Sequence, residues 1–170
     1  MCTEAEDRLH CACFTGHRPE KLRQTEQEVC IRLDREIQSA VENGFHTFIT
    51  GMARGVNLWA AELVLQLREQ GCAVRLVCAS SYEGFERSWS AGWQSQYRAV
   101  LQRADQVHFI CLGYSRACFQ RRNEWMVDHA ALVIAAFNGQ PGGTKNTLDN
   151  AMRKGTVCRN LLADCLRDAP

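Results

Sequence analysis

The sequence lacks three features that would place it in a broad class at once: a strong net charge, a long apolar run and a signal peptide. Its 20 Lys and Arg against 19 Asp and Glu leave a formal net charge of +1, which argues against nucleic acid as a partner held by bulk charge but is compatible with a local basic pocket. No segment approaches the roughly 18 apolar residues of a membrane span, and the opening MCTEAEDRLH lacks the basic-then-apolar order of a signal peptide. We therefore expect a cytoplasmic protein with no membrane partner.

The spacing CxxC is also missing, although the chain has 10 cysteines. Ten in 170 residues is about 6%, below the roughly 8–10% of a disulfide scaffold. Most of these cysteines lie in apolar runs, where a reduced thiol packs as a small hydrophobic group. The one cluster of metal-ligand types is His10, Cys11, Cys13 and His17, and on a strand its two cysteines share a face, which fits core packing as readily as ligation. We predict no metal site and no cofactor.

Short apolar segments alternate with helical patterns along the chain. Strand-like segments lie at 11–15, 46–50, 73–78, 106–111, 132–137 and 157–162, and helix-like patterns lie at about 25–44, 56–71, 89–104, 119–130 and 144–154. The second to fifth strands are nearly continuous apolar runs, typical of parallel strands covered on both faces. The alternation predicts an α/β fold, with one Rossmann-like, doubly wound domain over 11–170 after a flexible N-terminus at 1–10. Its mostly parallel sheet would have about six strands, flanked by helices.

Glycine and arginine are concentrated in the loops that follow the predicted strands, where an open parallel sheet binds its ligands. In GMARGVN, after the second strand, Gly51 and Gly55 allow positive φ and let a phosphate approach the main chain. The first amides of the next helix are unpaired donors, and Arg54 can add a bidentate contact to the same anion. The alternative is a tight turn with a solvated arginine.

A second glycine-rich junction, NGQPGGTKNT, follows the fifth strand. Gly142 and Gly143 precede Thr144, an N-cap residue whose hydroxyl and neighbouring amides can hold a second phosphate or a ribose. In TGHRPEK, after the first strand, Arg18 can pair with a phosphate, while His17 either bonds a phosphate or is a plain loop histidine. Two such junctions at one edge of a sheet favour a nucleotide-like anion more than either turn alone.

Three aromatic residues, Trp89, Trp93 and Tyr97, recur at helical spacing in the third predicted helix. Such a stripe usually packs in the core. Because its start lies near the ligand edge of the sheet, stacking on a nucleobase is the alternative interpretation.

Five motifs, in order, resemble those of the YpsA-like family in the SLOG superfamily of Rossmann-like proteins, over about residues 11–155. They are TGHRPEKL, ITGMARGVNLWAAE, WSAGWQSQYRAVLQRADQV, RRNEWMVDHAALVIAAFNG and GGTKNTLDNA. The resemblance implies a cytoplasmic, bacterial-type protein whose loops bind a nucleotide or a nucleotide-derived ligand. Relatives in the superfamily include the Lonely Guy-type phosphoribohydrolases, which cleave a nucleotide's N-glycosidic bond, and the DNA-processing protein A domain, which binds single-stranded DNA.

The chain departs from these relatives where chemistry would need a carboxylate. The family usually has aspartate at Asn57, and the phosphoribohydrolases have a catalytic glutamate after PGG, where this chain has Thr147 and Leu148. Glycosidic cleavage needs a carboxylate to stabilise the developing charge or to activate water, and Asp149 and Glu62 are doubtful substitutes.

We therefore interpret the protein as one that binds or senses a nucleotide-type small molecule through a phosphate-binding loop. One alternative is an N-glycosidic or phosphoester hydrolase that uses Arg54 and Arg18 on the phosphate, with His17, Glu62 or Asp149 as acid or base. The other alternative is single-stranded DNA binding. The candidate ligand-binding residues are Gly16, His17, Arg18, Gly51, Met52, Ala53, Arg54, Gly55, Asn57, Glu62, Arg122, Asn123, Gly142, Gly143 and Thr144. Catalytic residues, enzymatic turnover and a homo-oligomer are left open.

Overall fold

Six short parallel strands form one sheet in the computed structural model, which describes residues 7–167. The strands are β1 (Cys11–Gly16), β2 (Thr47–Thr50), β3 (Arg75–Ser80), β4 (Gln106–Phe109), β5 (Leu132–Ala136) and β6 (Val157–Asn160). Their order across the sheet is β4-β3-β2-β1-β5-β6. The predicted Rossmann-like fold with about six strands is confirmed. Because the chain crosses from edge strand β4 back to β5, the strand order reverses between β1 and β5, where doubly wound sheets open a crevice.

Six helices connect or follow the strands. They are α1 (Glu26–Glu42), α2 (Val56–Glu69), α3 (Ala91–Arg103), α4 (Cys118–Asp128), α5 (Gly143–Arg153) and α6 (Ala163–Arg167), with 3-10 turns at Pro19–Lys21 and Phe85–Ser88. Helix α1 begins with a capping box, in which the Thr25 hydroxyl accepts from the Glu28 amide and the Glu28 carboxylate accepts from the Thr25 amide. Helix α3 begins two residues later than predicted, because the Trp89 amide closes the preceding 3-10 turn on Glu86 O. The short helix α6 was not predicted.

Side chains alternate across the sheet and build a core on each face. On β1, Ala12 and Phe14 face the larger core, which α1, α2 and α3 cover, and Phe14 stacks on Phe48 of β2 with ring centroids 5.9 Å apart. Cys11 and Cys13 face the smaller core, which α4 and α5 cover. The result is a three-layer arrangement in which strands buried on both faces read as continuous apolar runs.

Strand β4 departs from the expected burial. Its apolar run predicted a strand covered on both faces, yet all four of its residues are exposed, with Val107 at 38% and Phe109 at 43%. It lies at the edge of the sheet beside β3, and α4, the helix that follows it, packs against β3 and α5. An apolar run therefore indicates a strand without telling a central strand from an edge strand.

The predicted flexible N-terminus falls largely at residues 1–6, which lie outside the described residues. Just after them, Arg8 Nε donates to Asp128 O at 2.9 Å, and His10 O accepts from the amides of His46 and Thr47. The domain limits 11–170 stay a prediction. Within residues 7–167, no helix is both long enough and apolar enough to cross a membrane.

Candidate functional site

A pocket of about 430 Å³ lies at the carboxyl ends of β1, β2 and β5. Ten of the candidate residues line it: Gly16, His17, Arg18, Ala53, Asn57, Arg122, Asn123, Gly142, Gly143 and Thr144. Since β1 lies between β2 and β5, the loops that follow these three strands are neighbours, and both glycine-rich junctions reach the same pocket. The pocket occupies the crevice where the strand order reverses.

Arg122, near the start of α4, is the buried cation of this pocket. Only 7% of it is exposed; its Nε donates to Asn123 Oδ1 at 2.9 Å and its Nη1 donates to Gly51 O. Burial lowers its pKa to about 10, so the guanidinium is charged at neutral pH. None of the ion pairs among residues 7–167 includes Arg122. A buried charge without a counter-charge is unfavourable, and an anion in the pocket would compensate it.

Gly51 makes room for this guanidinium. A Cβ on Gly51 would lie 2.8 Å from Arg122 Nη1 and 3.0 Å from Asn57 Oδ1. The Gly51 amide donates to Asn57 Oδ1 at 2.8 Å, so it is not available to a ligand. In this loop the fully buried Met52, with φ 58°, and Gly55 are at positive φ, whereas Gly51 is not. The glycine serves close packing here, which differs from the conformational role that its spacing suggested.

Gly55 and Gly16 bring the loop after β1 against the start of α2. Gly55 has φ 84°, and a Cβ on it would lie 2.7 Å from Pro19 Cδ. A Cβ on Gly16 would lie 2.5 Å from Val56 Cγ2. Any side chain at either position would separate the two loops, so these glycines determine the shape of the pocket wall.

Two helix N-termini lie at the pocket. The first intrahelical bond of α2 joins the Trp59 amide to Gly55 O, and that of α5 joins the Asn146 amide to Gly142 O. Amides before these positions, including that of Gly143, have no intrahelical acceptor and lie at the positive ends of the helix dipoles. A Cβ on Gly143 would lie 3.8 Å from Asn123 Nδ2, in ordinary van der Waals contact, so Asn123 is the pocket residue that faces the first residue of α5.

The lining of the pocket is cationic. Arg18 and Lys21 join Arg122 there, and none of the described residues that line the pocket is Asp or Glu. His17 also lines it, with 4% exposure, its ring stacked on Phe137 and its Nε2 buried without a hydrogen-bond partner in the described chain. Burial and the nearby Lys21 lower the His17 pKa, so the ring is neutral at pH 7. The pocket therefore presents three cations and one unpartnered imidazole.

Five candidate residues do not line this pocket: Gly51, Met52, Arg54, Gly55 and Glu62. Arg54 Nη1 pairs with Glu20 Oε1 at 2.9 Å, and Arg54 lines a neighbouring pocket. Glu62 lies on α2, outside this pocket. Asp149, the other acid considered, pairs with Lys145 Nζ at 2.6 Å and lies outside the pocket.

Sequence reasoning missed five lining residues: Thr15, Lys21, Phe85, Phe119 and Met126. Three of them lie within the quoted motifs: Thr15 and Lys21 in TGHRPEKL, and Met126 in RRNEWMVDHAALVIAAFNG. A search through every side chain of these motifs would have found these three. Among the described residues, no group of three or more His, Cys, Asp or Glu side chains could hold a metal ion.

Residues 12–163 match the model of YpsA, the YspA SLOG family. The chain belongs to the YspA SLOG family. Two bacterial relatives resemble it. The SPbeta prophage-derived protein YoqJ of Bacillus subtilis is 28% identical over 120 residues, which cover 64% of this chain and 70% of that protein. A UPF0398 protein of Bacillus cereus is 26% identical over 133 residues, covering 75% of this chain and 72% of its own. The predicted resemblance is confirmed.

Solved structures of DNA processing protein A share the fold of this YspA SLOG protein. The Streptococcus pneumoniae protein superposes with a TM-score of 0.66 at 18% identity, covering 94% of this chain and 54% of its own, so this chain spans about half of that length. The Helicobacter pylori protein gives a TM-score of 0.62 at 17% identity, and the match covers 96% of this chain and 74% of that protein. The TM-scores establish a common fold, and at identities this low the comparison shows the fold alone.

The comparison corrects one prediction, the argument from net charge against a nucleic-acid partner. The Helicobacter pylori protein has a single-stranded DNA binding mode on this same fold. The prediction is wrong because net charge averages over the whole surface. A charge of +1 for the chain coexists with a pocket that gathers Arg18, Lys21 and Arg122 and no lining carboxylate.

Proposed function

We propose that the protein binds a nucleotide-type ligand, with a phosphate of that ligand held in the pocket at the β1–β5 crevice. The observation that carries the proposal is the buried guanidinium of Arg122, which has no carboxylate partner among residues 7–167. Phosphate offers several acceptor oxygens to a guanidinium and to the free amides at helix N-termini. The unpartnered His17 Nε2 adds a second polar atom that lacks an interaction.

The size and lining of the pocket support an organic phosphate in preference to an inorganic anion. Its volume of about 430 Å³ lies in the range of small-molecule sites, roughly 300–1,000 Å³. Phe85, Phe119 and Met126 give it apolar surface beside the cations, and Thr15 and Thr144 add hydroxyl groups. Such a lining suits a sugar and base attached to the phosphate.

Binding without turnover fits the pocket better than hydrolysis. Cleavage of an N-glycosidic bond needs a carboxylate at the reacting centre, and neither Glu62 nor Asp149 lines the pocket. His17 is the one lining residue that could act as a base, and no Asp or Glu among the described residues lines the pocket to orient its ring. We therefore favour a binding or sensing role over the phosphoribohydrolase alternative.

A segment of single-stranded DNA is the second candidate ligand, supported by the fold shared with DNA processing protein A. It would present the same phosphate chemistry to the pocket. The two candidates differ in salt dependence, because a strand that contacts several cations loses affinity steeply as salt rises, with a slope of about 0.7 per phosphate contact.

Isothermal titration calorimetry and thermal melts with nucleoside monophosphates test the proposal. A ligand at 100 times its Kd stabilises the folded state by about 2.7 kcal/mol, so we expect the melting temperature to rise by about 5 °C or more. Arg122→Gln should weaken binding about tenfold or more, because a hydrogen bond to a charged group contributes about 1.5–3 kcal/mol. Arg121→Gln, at the exposed neighbouring position on α4, is the matched control and should bind as wild type does.

Arg18→Gln provides a second test, because Arg18 is exposed and its loss should leave the fold intact. Weaker binding in both Arg122→Gln and Arg18→Gln, with Arg121→Gln unchanged, would support the proposal. Absence of binding across the monophosphates and oligo(dA), or equal binding by wild type and Arg122→Gln, would overturn it.

A further inference from the structure

A second pocket, of about 370 Å³, adjoins the first. The two pockets share Arg18, Phe85 and Phe119, so they are continuous along the surface. Arg54, Trp89 and Trp93 lie in the second pocket and not in the first. The protein therefore has two adjoining compartments of similar size, one cationic and glycine-lined, the other aromatic.

The aromatic stripe predicted on the third helix divides between the core and this second pocket. Tyr97 is 2% exposed and its hydroxyl bonds Ser80 Oγ at 2.8 Å, so it belongs to the core. Trp89 and Trp93 are half-buried and line the pocket. Half-exposed aromatic rings are the surfaces on which nucleobases stack.

Neighbouring rings hold these platforms in place. Phe85 contacts Trp89 edge-on with ring centroids 4.8 Å apart, and Trp93 packs on the core residue Trp59 at 6.3 Å. Tyr82, also in the second pocket, contacts Phe85 edge-on at 5.7 Å. Because these rings are fixed by each other, a base that stacks on them loses little side-chain freedom.

The charges differ between the two compartments. Arg54 is paired with Glu20 at 2.9 Å, so the second pocket has only a partly compensated cation of its own. Arg18 lies at the junction and belongs to both pockets, and no ion pair among the described residues includes it. The junction thus has a cation for a linking phosphate, while the aromatic compartment suits a neutral base.

We propose that the ligand contains two nucleosides joined by a phosphodiester, an inference that rests on the proposed function. The first nucleotide occupies the β1–β5 pocket with its terminal phosphate at Arg122. Arg18 lines both pockets, so it contacts the first nucleotide as well as the linking phosphate, and the second base stacks in the aromatic pocket beside Trp93. A free dinucleotide and two adjoining nucleotides of a single strand share this chemistry.

Calorimetry with three probes tests the inference: dAMP, the 5′-phosphorylated dinucleotide pdApdA, and a twelve-nucleotide oligo(dA). Wild type should bind pdApdA about tenfold or more tighter than dAMP, the gain expected from one stacked base. Trp93→Leu should remove most of this gain and leave dAMP binding unchanged, because Trp93 lines the second pocket and not the first. Tyr82→Leu should do the same, and it keeps the test valid if loss of the Trp93–Trp59 contact destabilises the fold.

Trp125→Leu is the matched control, since Trp125 is also half-buried but packs between His108 and His129 outside both pockets. It should bind all three probes as wild type does. Equal affinity of wild type for dAMP and pdApdA, or an equal loss of both in Trp93→Leu and Tyr82→Leu, would overturn the inference while dAMP binding kept the proposed function intact. Failure of all three probes to bind would overturn both.

The oligonucleotide identifies the source of the ligand. An oligo(dA) affinity no greater than that of pdApdA, with weak salt dependence, indicates a free dinucleotide. A further rise in affinity with a steep salt dependence indicates a single strand. Both results support two nucleoside subsites.

Discussion

Alanine at Gly143 separates a ligand-binding role of the main chain from a structural one. Gly143 is the first residue of α5 and is not at positive φ. A Cβ there would meet nothing closer than Asn123 Nδ2, at 3.8 Å, which is ordinary van der Waals contact. Alanine is also the better helix former, by at most about 1 kcal/mol. We therefore expect Gly143→Ala to fold, with melting unchanged or raised by up to about 4 °C.

Ligand binding should respond in the opposite direction. Gly143 and Asn123 both line the cationic pocket, and the added methyl would occupy the space beside Asn123 Nδ2, 3.8 Å away. A phosphate oxygen bonded to the first amides of α5 needs that space. Loss of one hydrogen bond to a charged group costs about 1.5–3 kcal/mol, so binding should weaken about 10- to 150-fold.

The assay is calorimetry with dAMP together with a thermal melt, and Gly92→Ala is its matched control. Gly92 lies in the first turn of α3, a Cβ on it would meet nothing within 4 Å, and it lies outside the cationic pocket. Gly92→Ala should share the neutral or higher melting temperature and bind dAMP as wild type does. If Gly143→Ala binds dAMP as tightly as wild type, the start of α5 does not contact the phosphate and the reasoning fails.

Two further predictions concern the fold around the pocket. Gly51→Ala would bring a Cβ to 2.8 Å from the Arg122 guanidinium, which is buried and bonded to Asn123 Oδ1. The free energy of unfolding measured in urea should therefore fall by about 1–3 kcal/mol, together with dAMP binding, and a variant as stable as wild type would contradict this packing role. Burial and Lys21 lower the His17 pKa in the folded chain below its unfolded value of 6.5. Below pH 6.5 the unfolded chain therefore binds more protons than the folded chain, so stability is lost as pH falls through 6.5 toward the folded pKa. In urea titrations at several pH values, His17→Gln should lose less stability than wild type below pH 6.5, and identical pH profiles would refute the assignment.

Local sequence patterns predicted most of the fold, because helix caps and buried strands depend on residues that are close together in the sequence. The Thr25–Glu28 capping box and the buried apolar runs of β2 and β5 needed no knowledge of distant contacts. The exposure of β4 could not be predicted in this way, because it depends on where α4 crosses the sheet after the strand ends. Periodicity reports which residues are apolar, while the packing of another element decides whether they are covered.

The site shows the same division between local and distant information. Glycine spacing located the loops of the pocket. The groups that occupy the space beside these glycines come from other parts of the chain: Arg122, 71 residues away, lies beside Gly51, and Pro19 lies beside Gly55. Arg54, the arginine within the loop itself, is engaged by Glu20. The sequence motif thus located the pocket, whereas its buried cation, Arg122, lies in a distant part of the sequence.

The burial of Arg122 also explains why a binding role fits better than a purely structural one. A guanidinium removed from water and held by a carbonyl and an amide oxygen contributes less to stability than an apolar side chain of similar volume would. Its position would be favourable if an anion regularly completes its interactions, and the pocket around it admits one from solvent. Asn123 holds the guanidinium, and Asn57 holds the loop at Gly51, in one geometry before any ligand arrives. A ligand that bound there would therefore lose little free energy to the ordering of these side chains.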